Sequence, residues 1–532
     1  MVNVRMDGDS GGVLGVGELE PFVLGERRLG VADVVEVARG RRGCVLSGDD
    51  GIRTGLGRGQ AIVAERIARG ERLYGITTGY GDSVVQEIPL EQVDTLSALL
   101  VRYHGCGVGE PFPAELALGM VLIRAATFSS GYSAVRVELI ERLLDLVSHR
   151  IAPVIPGVGS VGASGDLTPL SYIAAVVSGE REVWYRGERM PARTALEACG
   201  LAPLTLAPKE GLALINGTAV MAALACFAIE RARKFARLAC TLTAMASDAT
   251  VGNPAHFDPR IFAAKPHPGC VEVADLIRAD LEGGSRPDPI PRLQDRYSIR
   301  CAPHVIGVLL DTLPWAERIV EIEINGANDN PLVDPESGEF LHGGNFYGGH
   351  LVAVLDTLKV AVANVAELLE RQLLLLCQPS ASNGLPVNLT GAAPERRASH
   401  HGFKGAQITA SAIVAEMLKL SMPASVFSRS TENHNQDKVS MGTIAGRDCL
   451  KILDQADLVG AISLIACAQA VELRGLDSCG VASRRMVEAL RPHVSFVEDD
   501  RSLDVDIEAL AAMIGDWELG ATSSVEAITT NG

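Results

Sequence analysis

Aromatic residues are scarce in this chain: phenylalanine, tyrosine and tryptophan together make up 4% of 532 residues. A core with so few rings must be aliphatic, and alanine-, leucine- and valine-rich interiors favour close-packed helices. A basic excess is missing too, since the net charge is −17. That excludes the positive stripes a nucleic-acid surface needs, and it says nothing about fold. No C-x-x-C pair occurs among the eleven cysteines. An odd, scattered set in a long chain predicts reduced thiols. The opening MVNVRMDGDSGG has acids and glycines where a signal peptide carries an apolar core. No uninterrupted apolar run approaches the roughly 20 residues that cross a bilayer. These absences predict a soluble, cytoplasmic protein with neither a membrane nor a nucleic-acid partner.

What is present is ample core material, 47% hydrophobic against 21% charged residues, in a chain longer than one core supports. Apolar residues recur at three- and four-residue spacing over 31–41, 90–104, 113–128 and 135–149. The same period predicts helices over 211–236 and 238–251, split at ERARKFAR, and over 305–323, 350–377, 408–420 and 449–473. The stretch 350–377 is apolar around most of its circumference, which predicts an interior position. Strand signals reduce to one hairpin around Arg186-Gly187. The predicted class is mainly α: a long-helix bundle with a mixed N-terminal region that carries a glycine-rich loop. In chain order this gives a flexible tail (1–25), an N-terminal region (26–215), a central bundle (216–475) and a C-terminal helical segment (476–532). The segment 70–82, GERLYGITTGYGD, is rich in glycine and predicts a movable lid.

Residues 157–166, GVGSVGASGD, hold four glycines in the first nine positions. Gly157 to Gly162 fits G-x-G-x-x-G, the dinucleotide fingerprint, but that pattern requires a strand before it. The preceding IAPVIP carries two prolines, which argue against a central strand. On residues alone a glycine-rich turn capping a helix also remains open. Yet Ala163-Ser164-Gly165-Asp166-Leu167-Thr168-Pro169 resembles the defining motif of the aromatic amino acid ammonia-lyase and aminomutase family. In that family the Ala-Ser-Gly tripeptide cyclises and loses water to give a methylidene-imidazolone (MIO) electrophile. The chemistry is coherent, because ordinary side chains offer no strong electrophile and a protein must recruit or build one. The glycine after the serine leaves its amide nitrogen unhindered for attack on the Ala163 carbonyl.

The resemblance extends from about residue 30 to 475 and implies roles for further residues. Tyr74, leading Tyr-Gly-Ile-Thr-Thr-Gly-Tyr-Gly, corresponds to the catalytic base; read alone it is equally a loop aromatic. Asn216 would contact the MIO and substrate, although a helix cap or core amide fits the same residue. Arg300, with its planar fork, is assigned to the substrate carboxylate, with Tyr297 and Gln294 beside it. Tyr297 and Arg300 are three apart, so they share one face if helical. Asn328 and Phe346 fall in two further family segments and are implied to bind substrate, the latter beside the MIO ring or simply in the core. The resemblance also implies a homotetramer whose active sites draw on several subunits, a small amino acid as substrate, and neither metal nor nucleotide.

Substrate choice rests on three positions. Gln436 stands where histidine enzymes of the family usually carry glutamate, and a neutral amide is more typical of tyrosine and phenylalanine enzymes. Tyr103-His104 occupies the selector positions and matches no common pairing. His104 suits a phenol hydroxyl, or is a buried structural histidine. The expectation is therefore ammonia elimination from tyrosine, then phenylalanine, giving an α,β-unsaturated aryl acid. A 2,3-aminomutase or a histidine ammonia-lyase on the same site are alternatives. Outside the family stand a fumarase-like lyase without MIO and a non-catalytic helical scaffold.

Overall fold

The computed structural model describes residues 20–516, and helices dominate it. Residues 1–19 of the expected tail, and the part of the C-terminal segment beyond 516, lie outside the described residues. The chain divides into two compact units, each discontinuous in sequence, where the linear reading cut at 215 and 475. The first gathers residues up to 226 with 320–348 and 428–443; the second takes the rest.

In the first unit, strand Phe22–Leu24 pairs in parallel with Cys44–Leu46, with helix Val31–Ala38 between them in the chain. Helix Asp50–Ala68 escaped the periodicity because glycines interrupt its pattern at positions 51, 55, 57 and 59. Tertiary packing explains one of them: a Cβ on Gly59 would lie 2.8 Å from Ala134 Cα. Asp49 caps this helix by accepting the Ile52 N–H at 2.9 Å. Helices Val93–Tyr103, Ala114–Phe128 and Val137–Ser148 fall where the apolar spacing puts them. Glu182–Tyr185 and Glu188–Pro191 form the expected hairpin, and Ala152–Pro153 adds a third antiparallel strand. Its two-residue loop places Arg186 at φ 52° and Gly187 at φ 80°, as the twist of a tight hairpin demands.

The second unit is a set of long helices. Here the expected split at ERARKFAR does not occur: Ala219–Ala249 is one helix. Its Glu, Arg, Ala and Lys are good helix formers with no Gly or Pro among them. The charges are spent sideways, Lys234 on Glu230 at 3.7 Å and Arg231 on Asp454 and Asp457 at 2.7 Å each. The break comes earlier, at Asn216 to Thr218, before this helix begins. Gly349–Cys377 buries most of its circumference as expected, although Val360 and Leu374 stay exposed. Gly442–Arg474 is long and apolar enough to cross a membrane by composition, but 83% of its most apolar stretch is buried in the protein. That burial marks a core helix.

Candidate active site

The tripeptide sits at a sharp turn in the first unit, just before helix Leu167–Val177. Ser164 has φ 49° and Gly165 φ 80°, two successive left-handed residues. Such a conformation is rare for serine and costs energy wherever it persists. Gly165 is obligatory here, since a Cβ would come within 2.0 Å of the Gly217 carbonyl oxygen. Opposing backbone locks the turn: the Asp166 N–H donates to Gly217 O at 2.7 Å. The Asp166 carboxylate is fully buried and accepts from Ser160 Oγ (3.1 Å), Met221 N (3.0 Å) and Thr443 Oγ1. Burial pushes its pKa up to about 6 against those bonds.

Two amides address Ser164 directly. Asn216 Nδ2 donates to the Ser164 carbonyl oxygen at 2.8 Å, while its Oδ1 accepts the Asn330 N–H at 2.7 Å. Gln436 Nε2 donates to Ser164 Oγ at 3.1 Å, and its Oε1 accepts from Thr431 Oγ1 at 2.7 Å. Both side chains are thus fixed from two sides. A cavity of about 610 Å³ opens over this centre, lined wholly by first-unit residues. Tyr74, Tyr103, His104, Ser164, Asn216, Phe346 and Gln436 all reach it.

The Tyr74 phenol oxygen accepts the Gly81 N–H at 2.8 Å and its ring meets His342 edge-on, centroids 6.2 Å apart. Burial pushes its pKa up, opposed by the Gly81 N–H and reinforced by the Glu432 carboxylate. Burial also raises Tyr103, to about 12, and lowers His104, which stacks on Tyr103 at 4.3 Å. His104 Nδ1 lies 3.0 Å from Leu100 O, a bond that opposes the lowering and orients the ring along its own helix.

Other expected residues sit elsewhere. Ala163 and Gly165 are behind the cavity surface, as members of the turn. Asn328 supports the site from below: its Oδ1 accepts from Arg124 at 3.0 Å and its Nδ2 donates to Glu323 O at 3.1 Å. Gln294, Tyr297 and Arg300 belong to the second unit and do not line the cavity of this chain. Tyr297–Arg300 is one helical turn in which the guanidinium stacks on the phenol ring at 4.6 Å, with Tyr297 71% exposed. Sequence reasoning missed Asn330, Tyr80, His342 and Glu432, all on the cavity wall. Asn330 and Tyr80 had a signal, their places in the Asn328-Asp-Asn-Pro331 segment and in the segment that Tyr74 leads. Among the described residues no three His, Cys, Asp or Glu side chains gather as metal ligands.

A family model described as aromatic amino acid lyase matches residues 29–492. The chain belongs to the aromatic amino acid lyase family. It is a carbon–nitrogen lyase, which sets aside the fumarase-like and scaffold alternatives. A curated relative from Gloeobacter violaceus, named histidine ammonia-lyase, is 39% identical over 94% of this chain and 96% of its own length. Another so named, from a Geobacillus species, is 41% identical over 86% of this chain and 90% of its length. Among solved structures, the tyrosine aminomutase of Streptomyces globisporus aligns with TM-score 0.88 at 33% identity, covering 96% of this chain and 98% of that one. The histidine ammonia-lyase of Trypanosoma cruzi aligns with TM-score 0.85 at 31% identity, over 94% of both chains.

These relatives overturn the tyrosine-first, phenylalanine-second expectation. The curated relatives, from 35% to 41% identical, carry the name histidine ammonia-lyase. The expectation had leaned on Gln436 and the Tyr103-His104 pair, three side chains among a whole lyase chain. A neutral amide still accepts and donates hydrogen bonds, so Gln436 does not bar an imidazole. The family of MIO-containing ammonia-lyases implies that electrophile in this chain as well, and the turn fits it. Two left-handed residues, a glycine with no room for a Cβ, and an amide on the serine carbonyl are compatible with a cyclised tripeptide.

Proposed function

We propose that the chain eliminates ammonia from L-histidine, yielding the α,β-unsaturated imidazolyl acid. The observation that carries the chemistry is the Asn216 bond to the Ser164 carbonyl inside a left-handed turn at the floor of the cavity. The names of the curated relatives support histidine as substrate. Ala163, Ser164 and Gly165 form the MIO group autocatalytically, and when present it supplies the electrophile that takes up the substrate amine.

This chain's own residues do the remaining work. Asn216 Nδ2 steadies negative charge on the Ser164 oxygen. Tyr74, as its phenolate, receives the substrate β-proton and becomes the neutral phenol. The C–H electron pair becomes the new double bond as ammonia departs with the C–N pair. Burial raises the Tyr74 pKa, so the phenolate that accepts this proton has to form in the substrate-filled site. Gln436 and Glu432 offer polar partners to the imidazole, and Phe346 covers the apolar side. Arg300, Tyr297 and Gln294 of a neighbouring copy complete the carboxylate pocket in a homotetramer. Exposed Val308, Val360, Leu374, Ile408 and Leu418 on second-unit helices support burial of those faces in the assembly. The described cysteines, all free, support a reducing cytoplasm.

A second reading, a 2,3-aminomutase at the same site, is favoured by the likeness to the S. globisporus aminomutase structure. Incubation with L-histidine distinguishes them: ammonia with an unsaturated acid supports the lyase, a β-amino acid supports the mutase. Neither product from any aromatic amino acid would contradict both.

A further inference from the structure

Arg124 is the largest side chain with no exposure in the described protein, and it has no carboxylate within ion-pair distance. It rises from helix Ala114–Phe128 and spends its donors on neutral oxygens. Nη1 donates to Asn328 Oδ1 at 3.0 Å; Nη2 donates to Asn216 O at 3.1 Å and to Ala213 O. Nε is buried with no partner at all. The guanidinium also stacks on Phe128 at 4.5 Å. A buried cation without an anion against it is expensive, and a purely structural role would be met more cheaply by an apolar side chain. The two anions whose charge reaches it are committed elsewhere: Asp329 pairs with buried Lys209 at 2.7 Å, and Asp166 is bonded to Ser160, Met221 and Thr443.

The cation's placement accounts for the expense. Asn216 O receives the guanidinium while Asn216 Nδ2 holds the Ser164 carbonyl, so one residue links the positive charge to the reaction centre. The approach leaves no room beside it: a Cβ on Gly217 would fall 2.2 Å from Arg124 Nη1, which fixes glycine between the asparagine and the cation. Asn328, expected to bind substrate, serves here as the guanidinium's second anchor.

We infer that Arg124 is a positioning residue for the reaction, a buried positive charge that orients Asn216 and favours negative charge on the Ser164 oxygen. The inference rests on the reading of the Ala163-Ser164-Gly165 turn as an electrophile, not on which amino acid is the substrate. A preorganised charge in a water-excluded site acts without reorganising, which is where such groups contribute most.

The test uses full-length wild type, Arg124→Lys and Arg124→Met. Cyanide, a small nucleophile, is added to each, and the adduct on the peptide spanning 163–165 is timed by mass spectrometry. Thermal unfolding, kcat and KM are measured alongside. Arg124→Met is expected to slow both adduct formation and kcat by about 10²-fold, the usual loss for an oxyanion-stabilising group. KM stays within about twofold, because the substrate is not touched. Arg124→Lys keeps the charge but not the fork, and recovers about tenfold of that loss. A role in folding alone would lower Tm while leaving the adduct rate unchanged, and that result overturns the proposal. Should Arg124→Met not fold, an Arg124→Lys variant with wild-type rates of adduct formation and turnover overturns it equally. Wild type that never forms an adduct would instead remove the electrophile reading beneath it.

Discussion

The floor and the rim of the cavity are built by opposite means. The floor, Ser164, Asn216, Asp166 and Arg124, is mostly buried and densely hydrogen-bonded, although Arg124 Nε has no partner. The rim, Tyr80 to Asp82 and Glu432 to His434, is mostly exposed and held by a handful of bonds. Asp82 N donates to Glu432 Oε1 at 3.2 Å and Asn433 Nδ2 to Asp82 Oδ2 at 3.0 Å. Glu432, Asn433 and His434 are all left-handed, a strained run spanned by the paired Thr431 and Gln436 backbones. A preformed floor under a loosely latched rim suits a reaction that needs fixed electrostatics yet must admit and release a ligand.

That contrast can be broken at the floor first. Ser164→Ala is expected to lower kcat on the order of 10⁴-fold or more, with Tm unchanged, because a group essential to the chemistry is lost. Wild-type-like turnover would end the floor's claim to the chemistry. Asn216→Ala should cost about 10²- to 10³-fold in kcat, the range for one lost oxyanion donor. A change confined to KM would recast Asn216 as a substrate contact. Rim changes should be milder. Asn433→Gly removes the bond to Asp82 and relieves one left-handed strain, so kcat and KM are expected to move together by less than about tenfold. Loss comparable to Asn216→Ala would show the rim to be as preorganised as the floor.

The smallest effect concerns His104. Burial depresses its pKa in the folded chain, so the folded state favours the neutral ring. Its stabilising contribution is complete above the unfolded value near 6.5 and is lost as pH falls below it. Replacing His104 with Gln should flatten a small part of the Tm decline between pH 7 and 5, measured by thermal unfolding. A steeper decline in the variant would reverse the assigned sign.

The helical class was legible because apolar residues keep time with the helix over 113–128 and 350–377, and no strand competes there. The 163–169 motif was legible for a different reason, its resemblance to the defining motif of a known family. What failed were cases where tertiary partners decide. Four glycines hid Asp50–Ala68 until Ala134 explained Gly59. The charged ERARKFAR reads as a break until Asp454 and Asp457 are seen opposite Arg231. Arg124, 92 residues before Asn216, carries no local pattern that would tie the two together. Substrate choice failed because Gln436 and His104 each admit several ligands, while identity over nearly the whole chain favours one.

The central claim is that Ala163, Ser164 and Gly165 become an electrophile in the folded protein. Mass spectrometry of the peptide spanning them, from purified wild type and from Ser164→Ala, tests it most directly. The account predicts a wild-type peptide lighter than its sequence by the water lost on ring closure and the water lost from serine. A wild-type peptide at its unmodified mass, in active protein, would contradict it.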